Sequence, residues 1–272
     1  MKQPEILVCP VCGAPLSRQE RAFVCEQAHS FDIAKQGYVN LLHIKGGVRG
    51  DNALMVNARR RFLESGHYAP LLKKAQEFVQ KHTPANAVVL DIGCGEGYYT
   101  EGIKNALADQ GATIYAFDIS KEAVKWTAKR HAAHFPFVAG AHNIPVRSEV
   151  FDLALLFFAP FFHEEILRIL KANGLFLMAY PGENHLYGLK TAIYDDPYVN
   201  CPKDDALEGF SIIETTEISY SIALEDPEEI AALFMMTPYY YKTSKRDQEK
   251  LLSLSKLETE ISFHLVLYRK DS

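Results

Sequence analysis

Two groups of residues in this chain have the types and the spacing that chemistry requires. Cys9 and Cys12 form a C-x2-C knuckle, and after twelve intervening residues Cys25 and His29 form a C-x3-H pair. Two residues between the first thiols let both turn inward from one tight turn, and Pro10, Gly13 and Pro15 supply turn-forming backbone around them. Three thiolates and an imidazole in two close pairs describe a closed tetrahedral zinc site, which holds a fold together and leaves no position open for catalysis. The second group is the stretch VVLDIGCGEGYYT at residues 88–100, where an apolar run carrying Asp91 ends in Gly93, Gly95 and Gly97. It reads as a buried strand feeding a tight turn and then a helix, so that backbone N–H groups at the helix start can hold a nucleoside-bearing ligand. A dinucleotide fingerprint would place its third glycine where Tyr98 stands, which weakens the nicotinamide reading.

An acidic residue two before G-x-G-x-G resembles instead the first motif of S-adenosylmethionine-dependent methyltransferases, where the glycines admit the methionine part of the cofactor. A second apolar run, TIYAFDI at 113–119, ends in Asp118, placed at a strand tip to accept the ribose hydroxyls. A helix cap before Lys121 is the structural role that competes for this side chain.

These residues need a scaffold, and the rest of the chain supplies one. Helices are expected at 70–82, 120–131, 163–170 and 227–236, and strands at 136–140, 151–158, 175–180, 210–222 and 260–268, with Asn173 and Gly174 ending the third helix. Alternating strands and helices imply an α/β fold, a doubly wound and mostly parallel sheet with ligands at the carboxyl ends of its strands. At 272 residues the chain exceeds one average domain. We expect a zinc-binding module at 1–38, a basic linker with helices at 39–82, and the methyltransferase domain at 83–272. A loop is expected at Gly46, Gly47 and Gly50, followed by a helix from Ala53 that carries Arg59, Arg60 and Arg61.

Bulk properties exclude several classes. With 48% hydrophobic and 23% charged residues the sequence is that of a globular protein, and no apolar stretch approaches the roughly 20 residues of a membrane span. The first residues have no apolar signal core, so a cytoplasmic location is expected and five cysteines argue for metal or burial rather than disulfides. The net charge of −5 is unevenly distributed, because residues 1–62 carry +4 and the remainder −9. A basic end on an acidic protein is compatible with a nucleic acid held at that end, and Arg59, Arg60 and Arg61 are the candidate RNA contacts.

Taken together, several stretches resemble one family. The zinc knuckle runs into Phe31, Asp32, Ala34, Lys35, Gly37, Tyr38, Val39, Asn40 and Leu41, then residues 58–62, Gly66, His67 and Tyr68, then DIGCGEGYYT. With PGENHL at 181–186, LEGF at 207–210 and MTPYYYK at 236–242, the chain is similar over nearly its whole length to the large-subunit rRNA guanine-N1 methyltransferases of the RlmA family. The glycine motif is shared by all class I methyltransferases, whereas the zinc module joined to HSFDIAKQGYVNLL is far more specific.

The resemblance implies methyl transfer from S-adenosylmethionine to N1 of one guanine in a 23S rRNA hairpin. It implies cofactor contacts at Tyr68, Gly95, Glu96 and His185, beside Asp91, Gly93, Gly97 and Asp118 from the residues themselves, and zinc ligands at Cys9, Cys12, Cys25 and His29. Two departures stand out. Gly140 occupies the place where many class I enzymes carry an adenine-binding acid, leaving Asn143 or backbone to serve, and the FFAPFF stretch at 157–162 is apolar for a site that takes a base. Loss of the N1 proton favours a general base or a polarised O6; no acid follows the fourth strand, so the catalytic residue stays unassigned, with His185 a candidate beside the alternative of a packed or solvated histidine. Two other readings compete: a class I methyltransferase of a small molecule, and a zinc-ribbon nucleic-acid-binding protein with a non-catalytic cofactor pocket. A homodimer stays open.

Overall fold

The computed structural model describes residues 6–43, 50–201 and 204–272; Gly46 and Gly47 lie outside them. At the amino terminus β1 (Ser17–Arg18), β2 (Ala22–Val24) and β3 (Ser30–Asp32) form an antiparallel sheet. Strands of two or three residues bury too little to stand alone. The exit strand of this module, β4 (Val39–Asn40), leaves it and joins the large sheet. Two helices follow, α1 (Ala53–Glu64) and α2 (Ala69–His82), then β5 (Val88–Ile92), α3 (Tyr98–Ala106), β6 (Thr113–Asp118), α4 (Lys121–Lys129), β7 (Phe135–Val138), β8 (Phe151–Phe157) and α5 (His163–Ile169). The last third holds β9 (Leu170–Pro181), α6 (Tyr187–Ile193), β10 (Phe210–Leu224), α7 (Pro227–Met235), α8 (Tyr239–Lys242), α9 (Lys245–Leu252) and β11 (Leu257–Lys270).

The eight strands of the large sheet lie in the order β10-β11-β9-β8-β5-β6-β7-β4. Strands β4 to β9 run parallel, while β11 is antiparallel to both neighbours. Near-continuous apolar runs such as FDLALLF in β8 are what a strand covered by helices on both faces requires. From β5 the chain builds outward to β6 and β7, then returns to build β8 and β9 on the other side. The order therefore reverses beside β5, and a crevice at that switch point is where such sheets hold ligands.

The zinc module is part of this body. Val39 pairs with Phe137 and Asn40 with Val138, Leu7 bridges Val146, and Arg147 donates its backbone N–H to Ile6 at 2.9 Å. Ile6, Leu7, Leu16, Val39 and Leu41 are buried in one cluster with Phe117, Phe137 and Ile144 of the sheet side.

Most boundaries fall within a few residues of those expected, and the largest difference is at the start of β9. Helix α5 ends at Ile169 and β9 begins at once at Leu170, with Asn173 and Gly174 inside the strand rather than ahead of it. Leu170 pairs with Phe151 and Leu175 with Leu153, so the intervening residues form an outward detour, with Asn173 in the left-handed region at φ 59°.

Candidate cofactor site and metal centre

The glycine turn after β5 is shaped by close approaches that only glycine permits. Gly93 has φ 71°, and a Cβ there would lie 2.5 Å from the Cβ of Ala159 in the loop after β8. Gly97, at φ 92°, stands in the left-handed region immediately before α3 and is hemmed by Thr127 and Ala132. Beneath the turn Asp91 is buried and accepts a 2.6 Å hydrogen bond from the Thr100 hydroxyl. Burial pushes its carboxyl up to about 7, against the Thr100 hydrogen bond, and the nearby Asp118 and Glu96 carboxyls push the same way.

Asp118, at the tip of β6, holds the turn from the other side. One carboxyl oxygen accepts from the Gly95 N–H at 3.0 Å and the other from the Ser120 N–H at 2.7 Å. The cap of α4 is Ser120, whose hydroxyl accepts from the Ala123 N–H at 3.2 Å, so Asp118 is not needed as a helix cap. Two N–H donors leave lone pairs on this carboxylate. Glu96 is also buried, which raises its carboxyl; its Oε1 has no hydrogen-bond partner, and Arg130 Nη2 stands 3.9 Å away. An orphan buried acceptor next to a glycine cradle fits a ligand that brings hydroxyl or amino donors.

On the other wall, Tyr68 at the start of α2 meets His185 in the turn after β9. The Tyr68 hydroxyl lies 3.4 Å from His185 Nε2, and Nδ1 of the same ring accepts from the Ser262 N–H at 3.3 Å. That second bond fixes the tautomer, placing the proton on Nε2, which donates to Tyr68. Burial, with Lys190 adding a like charge, drops the imidazole to about 3, so His185 is neutral at any working pH. Both rings rest on Phe263, Tyr68 edge-on at 4.8 Å between centroids.

In the amino-terminal module the four expected zinc ligands converge. His29 Nδ1 is 3.5 Å from Cys9 Sγ and 3.4 Å from Cys25 Sγ, Cys12 Sγ is 3.8 Å from Cys25 Sγ, and all four atoms lie within 4.8 Å of one another. Zinc bonds of about 2.3 Å to sulfur and 2.0–2.1 Å to nitrogen give tetrahedral edges of roughly 3.6–3.8 Å, so this donor set fits the ion. The knuckle is closed by the Gly13 N–H donating to Cys9 O and the Cys9 N–H to Ala14 O, both at 2.8 Å.

The three arginines of α1 each meet different acidic partners. Arg59 pairs with Asp51 at 2.5 Å and runs beside the cofactor turn, its Cδ and Nη1 each 3.7 Å from where a Gly95 Cβ would be. Arg60 pairs with Glu64 at 3.0 Å and stacks on Trp126 at 4.6 Å. Arg61 reaches Asp226 at 3.1 Å and Glu228. Asn143 is exposed on the loop after β7. The placement of Arg59 beside Gly95 is what sequence reasoning did not find; Gly95 was visible, but nothing in the run of three arginines says which one turns inward.

Two family models match the chain: the RlmA amino-terminal zinc ribbon over residues 7–46 and a methyltransferase domain over residues 90–178. A 23S rRNA (guanine(748)-N(1))-methyltransferase of Streptomyces fradiae is 37% identical over 190 residues, covering 69% of this chain and 67% of that protein. Proteins to which a 23S rRNA guanine-N1 methyltransferase activity is ascribed are 33% identical in Micromonospora griseorubida, over 67% of this chain and 68% of that one, and 28% identical in Bacillus subtilis, over 90% and 89%. Fold, glycine turn and these matches define a class I S-adenosylmethionine-dependent methyltransferase with an amino-terminal zinc ribbon. Within that class the chain belongs to the 23S rRNA guanine-N1 methyltransferase family.

Proposed function

We propose that the crevice beside β5 holds S-adenosylmethionine and that the chain transfers its methyl group to N1 of a guanine in a hairpin of 23S rRNA. The observation that carries this is the continuity of ribbon and cofactor turn: the helix that follows the zinc module brings Arg59 to Gly95 and leads to Tyr68, which meets His185. The cofactor, when bound, supplies an electrophilic methyl on sulfur. Asp91, Gly93, Gly95, Gly97, Glu96 and Asp118 would hold it, with Tyr68 and His185 at the wall and Asn143 at the rim. The zinc ligands Cys9, Cys12, Cys25 and His29 would hold a structural ion.

In the reaction the N1–methyl bond forms as the sulfur–methyl bond breaks, and the proton on N1 is lost. His185 has both ring nitrogens engaged, so in this reading it positions Tyr68 and does not take that proton, which passes to solvent. In-line alignment then supplies much of the rate, up to about 7–11 kcal/mol. Among the described residues no helix is long and apolar enough to cross a membrane, and a cytoplasmic enzyme meeting its rRNA there is part of this proposal. The test offers 23S rRNA, 16S rRNA and tRNA with methyl-labelled S-adenosylmethionine; label entering 23S rRNA alone supports the reading, and label entering none of them overturns it. Sedimentation of the same protein decides between monomer and homodimer.

A further inference from the structure

The loop after β8 combines two costs that folding alone does not justify. Phe158 has φ 57°, a region that bulky side chains rarely enter. Leu186 shares that conformation, but it is buried, so packing offsets its strain. Phe158 is 41% exposed. Two residues just beyond Pro160 continue the pattern: Phe161 and Phe162 are 36% and 40% exposed, and the large exposed phenylalanines of the described chain are these three. Phe161 stacks on Phe176 and so has a packing role, whereas Phe162 has the exposed His142 ring at 6.3 Å.

The placement of Phe158 gives the strain a use. Its N–H donates to Ala179 O at 3.1 Å, keeping it on the end of the sheet, and the left-handed turn carries Ala159 over Gly93. The Phe158 ring then stands 6.5 Å from Tyr68, 6.3 Å from Tyr99 and 5.2 Å from Phe263. A solvent-facing aromatic face is thus fixed beside the proposed cofactor turn, where an attacking base must come. Purines stack on such faces, and unpaired bases of RNA are recognised largely in that way.

We propose that Phe158 is the stacking surface for the guanine that is methylated, and that Phe162 receives a neighbouring unpaired nucleobase of the same RNA. This rests on the rRNA-methylation reading. The strained turn holds the face in place before RNA arrives, so the base is met by a fixed ring rather than by a loop that must first order itself. It also explains an apolar post-strand loop at a site that takes a base.

The full zinc-containing chain is assayed with a 23S rRNA transcript, comparing Phe158→Leu, Phe158→Tyr and Phe162→Leu with wild type, alongside calorimetric S-adenosylmethionine affinity, thermal midpoint and sedimentation. Leucine keeps apolar bulk and removes the ring, so Phe158→Leu should lower kcat/KM for RNA by about tenfold or more, with Phe158→Tyr near wild type and Phe162→Leu acting mainly on KM. Cofactor affinity and thermal midpoint should be unchanged. Wild-type kcat/KM in Phe158→Leu, or equal losses in the leucine and tyrosine variants, would overturn the proposal. So would a wild-type dimer that Phe158→Leu or Phe162→Leu dissociates, since the rings would then be covered by a second copy. Failure of the wild type itself to methylate RNA would instead bring down the reading beneath it.

Discussion

At the Asp91 carboxyl and the His185 imidazole, burial acts in opposite directions on stability. Asp91 keeps its proton in the fold up to about pH 7 but loses it near 3.8 when unfolded, so its contribution is full below 3.8 and lost as pH rises to 7. His185 stays neutral down to about 3 but is protonated below 6.5 when unfolded, so its contribution is present above 6.5 and lost as pH falls toward 3. Between those limits the two slopes offset each other. Denaturant titrations of the cofactor-free protein from pH 4.5 to 6.5 should therefore show Asp91→Asn gaining stability with rising pH and His185→Gln losing it, each by up to ~1.4 kcal/mol per pH unit. Slopes of the same sign in both variants would refute this assignment. A second residue-scale expectation separates the arginines. Asp118→Ala should weaken S-adenosylmethionine binding by about 1.5–3 kcal/mol and Arg59→Ala by about 1 kcal/mol, because both act at the turn. Arg60→Ala and Arg61→Ala should leave calorimetric cofactor affinity alone. If these side chains meet phosphates, each substitution should also flatten the salt dependence of RNA binding by roughly 0.7–0.9 for every phosphate no longer neutralised. Equal cofactor affinity in the Arg59→Ala variant would return that residue to the surface group.

Among the elements, α1 matters most, since it links the zinc module to the cofactor turn. Its start is capped by Asn52, whose side chain accepts from the Leu54 N–H at 2.9 Å and the Met55 N–H at 3.1 Å. Asn52→Ala should cost about 1 kcal/mol of stability by denaturant titration, and cofactor affinity should fall with it because Arg59 rides on this helix. Loss of stability with full cofactor affinity would mean the helix end can fray without disturbing the turn. The same helix shows where sequence reading stops. Successive helical residues point about 100° apart, so three adjacent arginines face three directions, and only the fold tells which reaches Gly95. The central strands were legible because β5, β6 and β8 are long apolar runs ended by turn residues. Strand β4 was not, because two residues carry no periodicity, and its pairing with β7 is set by distant chain. Helices α6, α8 and α9 were missed as well; the first two run only seven and four residues. The convergence of Cys9, Cys12, Cys25 and His29 was legible from spacing and the glycine turn in type, whereas the meeting of His185 with Tyr68 was not, since nothing local announces it.

At the scale of the whole molecule, the ribbon and the methyltransferase sheet share strand pairing and buried side chains, so they should unfold together. Removing zinc with a chelator, or replacing Cys9 and Cys12 with serine, should lower the midpoint of one common thermal transition, because metal binding supplies folding free energy on the order of 10 kcal/mol to the module. Two separated transitions, with the methyltransferase part keeping its midpoint, would show that the shared cluster around Leu7, Val39 and Phe137 carries little. With a net charge of −5, affinity for RNA has to come from local features, and the proposed stacking on rings beside the cofactor turn is one of them. The proposed methylation of guanine N1 of 23S rRNA in this crevice is read from nucleoside analysis of the reacted RNA. After incubation with the full chain and S-adenosylmethionine, digestion of the 23S transcript should yield 1-methylguanosine, with at least roughly tenfold less formed by the Asp118→Ala variant at a cofactor concentration below the wild-type Kd. A methyl group found on another nucleoside, on another position of guanine, or on no nucleoside at all would contradict it.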